Sequence, residues 1–164
     1  MTTGIRPAVA GDAAALARIY DPYVRATTVT FEEEPVAPEE MASRLRAVLS
    51  GGLPWLVAEQ DGQVVGYAYA SPWKSRAAYR FAVEVTVYLA PGFTRRGWGT
   101  RLYEELFARL RERGVHTVVG GITLPNDASV ALHERLGLVK VAHFREIGFK
   151  LGRWIDVGYW QRTL

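Results

Sequence analysis

Four groups of residues in this 164-residue chain have types and spacing suited to chemistry. Glu84 interrupts the run Val83-Glu84-Val85, and a carboxylate in mid-strand is expensive unless it is paired, hydrated or functional. Partly buried, with a raised pKa, it would serve as a general base; on an edge strand it would only face water. Arg95-Arg96-Gly97-Trp98-Gly99-Thr100 places two cations beside a Gly-x-Gly. At a helix start such a loop offers backbone N–H groups to an anion, and the arginines add charge-assisted donors. No Gly-Lys-Ser/Thr follows, and Leu102 stands where a dinucleotide fingerprint needs its third glycine. An ordinary helix start with solvated arginines is the competing reading. Asn126 and His133 lie two helical turns apart and share a face, and a histidine can donate a proton near neutral pH, or simply pack beside Leu132 and Leu136. Lys74, Arg76 and Arg80, interleaved with Trp73 and Tyr79, form either an anion-binding loop or a solvated basic one. Cysteine is absent, which excludes disulfides, thiolate metal sites and a cysteine acyl intermediate. The three histidines have no metal-ligand spacing, so no metal is expected.

These groups need elements to hold them. The length fits one domain over residues 1–164, and 49% apolar with 23% charged residues suits a packed core. The net charge of +3 is interleaved rather than clustered, so no nucleic-acid partner is expected. Neither a membrane span nor a signal peptide is visible, Met1–Asp12 lacking a basic start before an apolar run, and a cytoplasmic location is expected. Asp12 is the expected N-cap of a helix carrying Leu16, Ile19, Tyr20 and Tyr23, and Pro38 opens a second with Met41 and Leu45, stopped at Gly51-Gly52. Asp61-Gly62 joins strands Trp55–Glu59 and Val64–Ala70 in a hairpin. Phe81–Leu89 reads as the best strand, and Pro91–Gly99 as the loop opening a helix that ends at Gly114. A strand at His116–Leu124, a helix at Asn126–Leu136 and strands at Val139–Phe144 and Trp154–Arg162 complete the set. The fold class predicted is mixed α/β, and the early hairpin argues for a partly antiparallel sheet.

A strand, a basic-x-Gly-x-Gly loop and an amphipathic helix together resemble the acetyl-CoA-binding core of the GNAT N-acetyltransferases. Asn126-Asp127-Ala128-Ser129 through His133 to Leu136-Gly137-Leu138 resembles their second cofactor segment. The likeness narrows to the phosphinothricin and methionine sulfoximine branch. It is carried by Ile19-Tyr20, Thr30 to Pro35, Pro72 to Arg76 with Tyr79, Glu84 to Leu89, Leu124 to Asp127, Gly148 to Lys150 and Trp154 to Gly158. The resemblance implies the GNAT fold, a mixed, mostly antiparallel central sheet flanked by helices. It implies acetyl transfer from acetyl-CoA to the α-amine of a small amino-acid analogue, by direct attack, with Glu84 as base and His133 in the place of a thiolate-protonating tyrosine. Backbone groups at Val87, Tyr88 and Leu89, the loop Arg95, Arg96, Gly97, Trp98, Gly99 and Thr100, and Asn126 would bind the cofactor. Lys74, Arg76 and Tyr79 would bind the acceptor, with Phe31 as an apolar wall. A homodimer with acceptor sites near the subunit boundary is also implied. The chain departs from the family at Thr94, where Gln or Arg is usual, and at Trp98, usually small and aliphatic. The competing functions are acetylation of another amine, such as a polyamine or peptide terminus, and a CoA-binding sensor without turnover; Lys74 and Arg76 argue against a polyamine.

Overall fold

A computed structural model describes residues 2–164; Met1, the first residue of the expected domain, lies outside them. The chain runs β1 (Gly4–Pro7), α1 (Ala13–Ala26), α2 (Pro38–Ser50), β2 (Trp55–Gln60), β3 (Gln63–Pro72), β4 (Ala82–Leu89), α3 (Trp98–Glu112), β5 (Thr117–Leu124), α4 (Asp127–Arg135), β6 (Val139–Lys150) and β7 (Arg153–Thr163). The strands form one seven-stranded sheet in the order β1-β2-β3-β4-β5-β7-β6. Every neighbouring pair is antiparallel except β4 with β5.

Helix periodicity decides which face each layer covers. Leu102, Leu106 and Leu110 recur every four residues on α3 and are fully buried against Val83 and Val85 of β4. Each such side chain contributes about 1.5–3 kcal/mol by leaving water. Leu16, Ile19 and Tyr20 of α1 with Met41 and Leu45 of α2 cover the other face, over Trp55, Val57 and Tyr67. One cluster therefore lies between the sheet and α3–α4, and another between the sheet and α1–α2. Asp61 and Gly62 take positive φ values of 53° and 79°, the geometry a two-residue hairpin needs.

Two parts of the sheet depart from the sequence expectation. β1 is four residues ending in proline, too short for a periodicity signal; pairing with β2 and the Arg6 bonds to Asp12 and Glu59 hold it. β6 runs six residues past Phe144, because its register shifts between Phe144 and Gly148 and the strand then resumes against β7. The bulge residues Arg145 and Glu146 break the alternation on which strand reading depends. Asp12 does precede α1, but its carboxylate accepts from Val9 N at 2.8 Å and from Arg6 rather than capping the helix.

Candidate active site

β4 and β5 pair only at Ala82–Glu84 and Thr117–Val119. Beyond that point β4 stays with β3 and β5 stays with β7, so the sheet opens into a cleft. A cavity of about 240 Å³ fills it, lined by Val85–Tyr88 on one side and Gly121–Thr123 on the other. Trp73 N donates to Ala82 O and Ala90 N donates to Val65 O. In this register Ala82, Glu84, Thr86, Tyr88 and Ala90 bond to β3, and Val85, Val87 and Leu89 turn their backbone groups toward the cleft. Of the expected contacts at Val87, Tyr88 and Leu89, the N–H groups of Val87 and Leu89 are the ones facing it. The Leu89 carbonyl takes the Tyr23 hydroxyl at 2.6 Å, and the Tyr88 ring packs with Tyr20, Tyr23 and Tyr67.

Glu84 sits where the strands part, on the face that carries α1 and α2, half-buried and lining the cavity. It is on a central strand, so the solvent-facing edge position does not apply. Burial pushes its pKa up from the usual carboxylate range, and the nearby Lys74 charge opposes that shift. A carboxylate so placed, with no hydrogen-bond donor holding it among the described residues, is a competent proton acceptor near neutral pH.

His133 reaches the same cavity from the opposite face. It is 3% exposed, its ring lies against Gly120, and a Cβ on that glycine would stand 2.6 Å from the imidazole. Nδ1 lies 2.7 Å from Ser129 O and Nε2 lies 3.5 Å from the Tyr103 hydroxyl. A carbonyl partner demands a proton on Nδ1, so in the neutral ring Nε2 is the acceptor. Burial lowers the pKa, with the Ser129 carbonyl opposing it. This arrangement favours an imidazole that orients Tyr103 over the expected proton donor, because its one proton is committed to a carbonyl. Asn126 caps α4, its Oδ1 accepting from Ser129 N at 3.2 Å, which leaves the amide NH₂ free toward the cavity.

The loop before α3 sits outside this cavity. Arg95 has φ 60° and Gly97, the N-cap of α3, has φ 81°. Left-handed residues in such a turn converge backbone N–H groups into an anion-binding concavity at the helix start. Arg95 and Arg96 are exposed beside it, Arg96 over the Phe93 ring. The Trp98 side chain is 4% exposed in the core, so its backbone is the part that can face a ligand. A Cβ at Gly99 would come within 3.2 Å of Leu132, so the missing side chain also lets α3 pack closely on α4. Thr100 is half-buried, its hydroxyl 3.5 Å from Arg135.

Phe31 lines the cavity from the segment between α1 and α2. Lys74, Arg76 and Tyr79 do not line it; all three are exposed in the β3–β4 connection. Lys74 lies over the Trp73 ring, which packs edge-on against Tyr159 of the cavity wall. Sequence reading missed Tyr103, Tyr159 and Thr86 among the lining residues. Tyr103 carried a signal, a hydroxyl on the apolar stripe of α3. So did the adjacent Gly120-Gly121 inside a strand, where the missing Cβ atoms admit His133 on one face and Tyr159 on the other. Among the described residues no cluster of three or more His, Asp or Glu side chains could hold a metal ion, and no helix is long and apolar enough to cross a membrane.

Known proteins resemble this chain over nearly its whole length. The model of the acetyltransferase (GNAT) family matches residues 16–138. A phosphinothricin N-acetyltransferase of Streptomyces viridochromogenes is 47% identical over 158 residues, covering 96% of this chain and 86% of that protein. An L-methionine sulfoximine/L-methionine sulfone acetyltransferase of Salmonella typhimurium is 35% identical, covering 98% of this chain and 94% of that one. The crystal structure of a GNAT superfamily phosphinothricin acetyltransferase from Sinorhizobium meliloti, in complex with AcCoA, superposes with a TM-score of 0.96 at 39% identity, covering 100% of this chain and 89% of that one. The chain belongs to the GNAT acetyltransferase family, and it is an N-acetyltransferase.

Proposed function

We propose that this enzyme transfers the acetyl group of acetyl-CoA to the α-amine of a small amino-acid analogue, phosphinothricin or methionine sulfoximine or sulfone. The observation that carries the proposal is the cleft between β4 and β5, with Glu84 on one face and Asn126, Ser129 and His133 on the other. The cleft fits the cosubstrate: Val87 and Leu89 present free N–H groups, Asn126 a free amide, and the Arg95–Gly97 turn with Arg96 a cationic cradle for a diphosphate. When bound, acetyl-CoA supplies the thioester carbon that the amine attacks.

Glu84, directly or through water, takes the proton that an α-ammonium must lose before it can attack. The Val87 N–H is a cleft-facing donor for charge developing on a carbonyl oxygen. His133 holds the Tyr103 hydroxyl toward the cavity from the cofactor side. Separation of the two faces lets acceptor and cosubstrate enter from opposite sides and meet without an acyl-enzyme. Lys74 and Arg76 draw an anionic side chain to the acceptor mouth. We also propose a homodimer and a cytoplasmic location. Val139, Val141, Ile147 and Phe149 of the edge strand β6, with Trp154 of β7, are all more than half exposed and suit a second copy. A monomeric mass in light scattering would overturn the dimer.

The test of function is CoA release measured over a panel of amines that includes phosphinothricin, methionine sulfoximine, methionine sulfone, unmodified amino acids and a polyamine. Turnover concentrated on the first three supports the proposal. Flat background across the panel, with acetyl-CoA still bound, would instead point to a sensor.

A further inference from the structure

The wall of the acceptor side is a stretch without regular structure, Thr27–Ala37, and its shape is imposed from elsewhere. Its backbone is anchored at Thr30: Lys150 Nζ, on a residue 2% exposed, donates to Thr30 O at 2.8 Å, and the Tyr20 hydroxyl meets Thr30 Oγ1 at 2.6 Å. Glu32 is held by Tyr20 and by a fork from Arg44, at 2.6 and 2.8 Å. The Phe31 ring, which lines the cavity, has no such bond and is 41% exposed. What it rests on is Gly148 of β6. A Cβ on Gly148 would stand 2.5 Å from Phe31 Cε2 and closer still to Cζ, inside the ring's contact radius.

The φ of Gly148 is outside the left-handed region, so its backbone would accept any residue; the space is what demands glycine. That space exists because β6 bulges just before it. Phe144 faces Val157 and Gly148 faces Ile155, so Arg145, Glu146 and Ile147 stand opposite Asp156 alone. The Asp156 carboxylate pins the bulge, accepting from Glu146 N at 2.8 Å and meeting His143 Nε2 at 2.7 Å.

We propose that Gly148 is a specificity-determining residue: its missing side chain seats the Phe31 ring on β6 and thereby sets the width of the acceptor end of the cavity, where the ring meets the apolar stem of an amino-acid analogue. The inference rests on the acceptor class proposed above. A methyl group added at Gly148 must displace the ring tip, and a one-methyl misfit in an apolar pocket discriminates by about tenfold or more.

The experiment compares Gly148→Ala, Phe31→Ala and the double variant in the full chain. It measures acceptor kinetics with phosphinothricin and methionine sulfone, acetyl-CoA affinity by calorimetry, and thermal denaturation. Gly148→Ala is expected to raise the acceptor KM about tenfold with acetyl-CoA affinity unchanged. In the Phe31→Ala background, where the ring is gone, the same substitution should change neither KM nor melting temperature. An unchanged acceptor KM, an equal effect in both backgrounds, or a parallel loss of acetyl-CoA affinity would each overturn the proposal. Should the unsubstituted enzyme turn over neither acceptor, the acceptor assignment and this inference fall together. Coupling of the two substitutions in thermal denaturation would then show that the contact stands and the acceptor class was at fault.

Discussion

Replacing Glu84 by glutamine keeps the shape of the side chain and removes its ability to hold a proton. Positioning by the cleft survives, so the loss is confined to the proton-transfer part of the rate, commonly about 10²–10⁴-fold. The acceptor's own acid–base chemistry sharpens this figure. For an amine with a pKa near 8 or above, at most about 1% is already neutral at pH 6 and about half at pH 8. An enzyme without a base must wait for that fraction. The variant is therefore expected to lose at least about 100-fold in kcat/KM at pH 6 and progressively less as the pH approaches the amine's pKa, its rate climbing about tenfold per pH unit well below that pKa. Stability should move the other way. The folded-state pKa of Glu84 is raised by burial above the usual 4.5, so its contribution to stability is greatest below that value and declines as pH rises through the folded pKa. At neutral pH the glutamine variant should melt higher than the parent, and the difference should vanish in acid. The assay is CoA release from pH 6 to 9, with thermal denaturation in the same buffers. Full activity at every pH, or an identical loss at pH 6 and pH 9, would refute the base assignment, since the second pattern means that Glu84 binds or positions.

Three other outcomes follow from the geometry. Arg95→Ala with Arg96→Ala should raise the acetyl-CoA Kd roughly tenfold per guanidinium at low salt and less at high salt; calorimetry at two ionic strengths would show no change if the turn is only a helix start. His133→Gln should cost less than about tenfold in kcat between pH 7 and 8 if the ring only orients Tyr103, whereas a loss of about 10²–10⁴-fold with a new pH limb would make it the proton donor. Lys150→Met leaves the buried Thr30 carbonyl without its donor, so denaturant titration should find it about 1–3 kcal/mol less stable. Its acceptor KM should rise while acetyl-CoA affinity holds, and a fall in both affinities would mean that the clamp supports the whole cleft.

Much of this was legible in the residues because it rests on local patterns. The leucines of α3, the alternation of β4 and the Asp61-Gly62 turn each state their element through spacing of neighbouring residues, and all three formed where expected. Glu84 stood out as a charge among valines. Harder to read were elements that exist only through a distant partner: β1 is four residues held by Arg6, and the second half of β6 returns after a bulge that Asp156 pins. Trp98 and Gly99 show the limit of motif reading. The motif marks where they stand, yet the core and Leu132 claim the Trp98 side chain and the space at Gly99.

The sequence by itself determined the order of the elements from α1 onward, the mixed sheet, the carboxylate in mid-strand, and, through the absence of cysteine, the lack of any thiol nucleophile. Those follow from residue type and from periods of two and 3.6, which are properties of a few adjacent residues. Tertiary structure alone decided that β4 and β5 part at Glu84, that Glu84 and His133 lie on opposite faces of the sheet, and that Gly148 seats Phe31 from across the chain. The imidazole's protonation belongs there too, because a pKa is set by burial and by the partner each nitrogen meets. Strand pairing, facing and desolvation depend on residues far apart in the chain, and only the assembled fold brings those together.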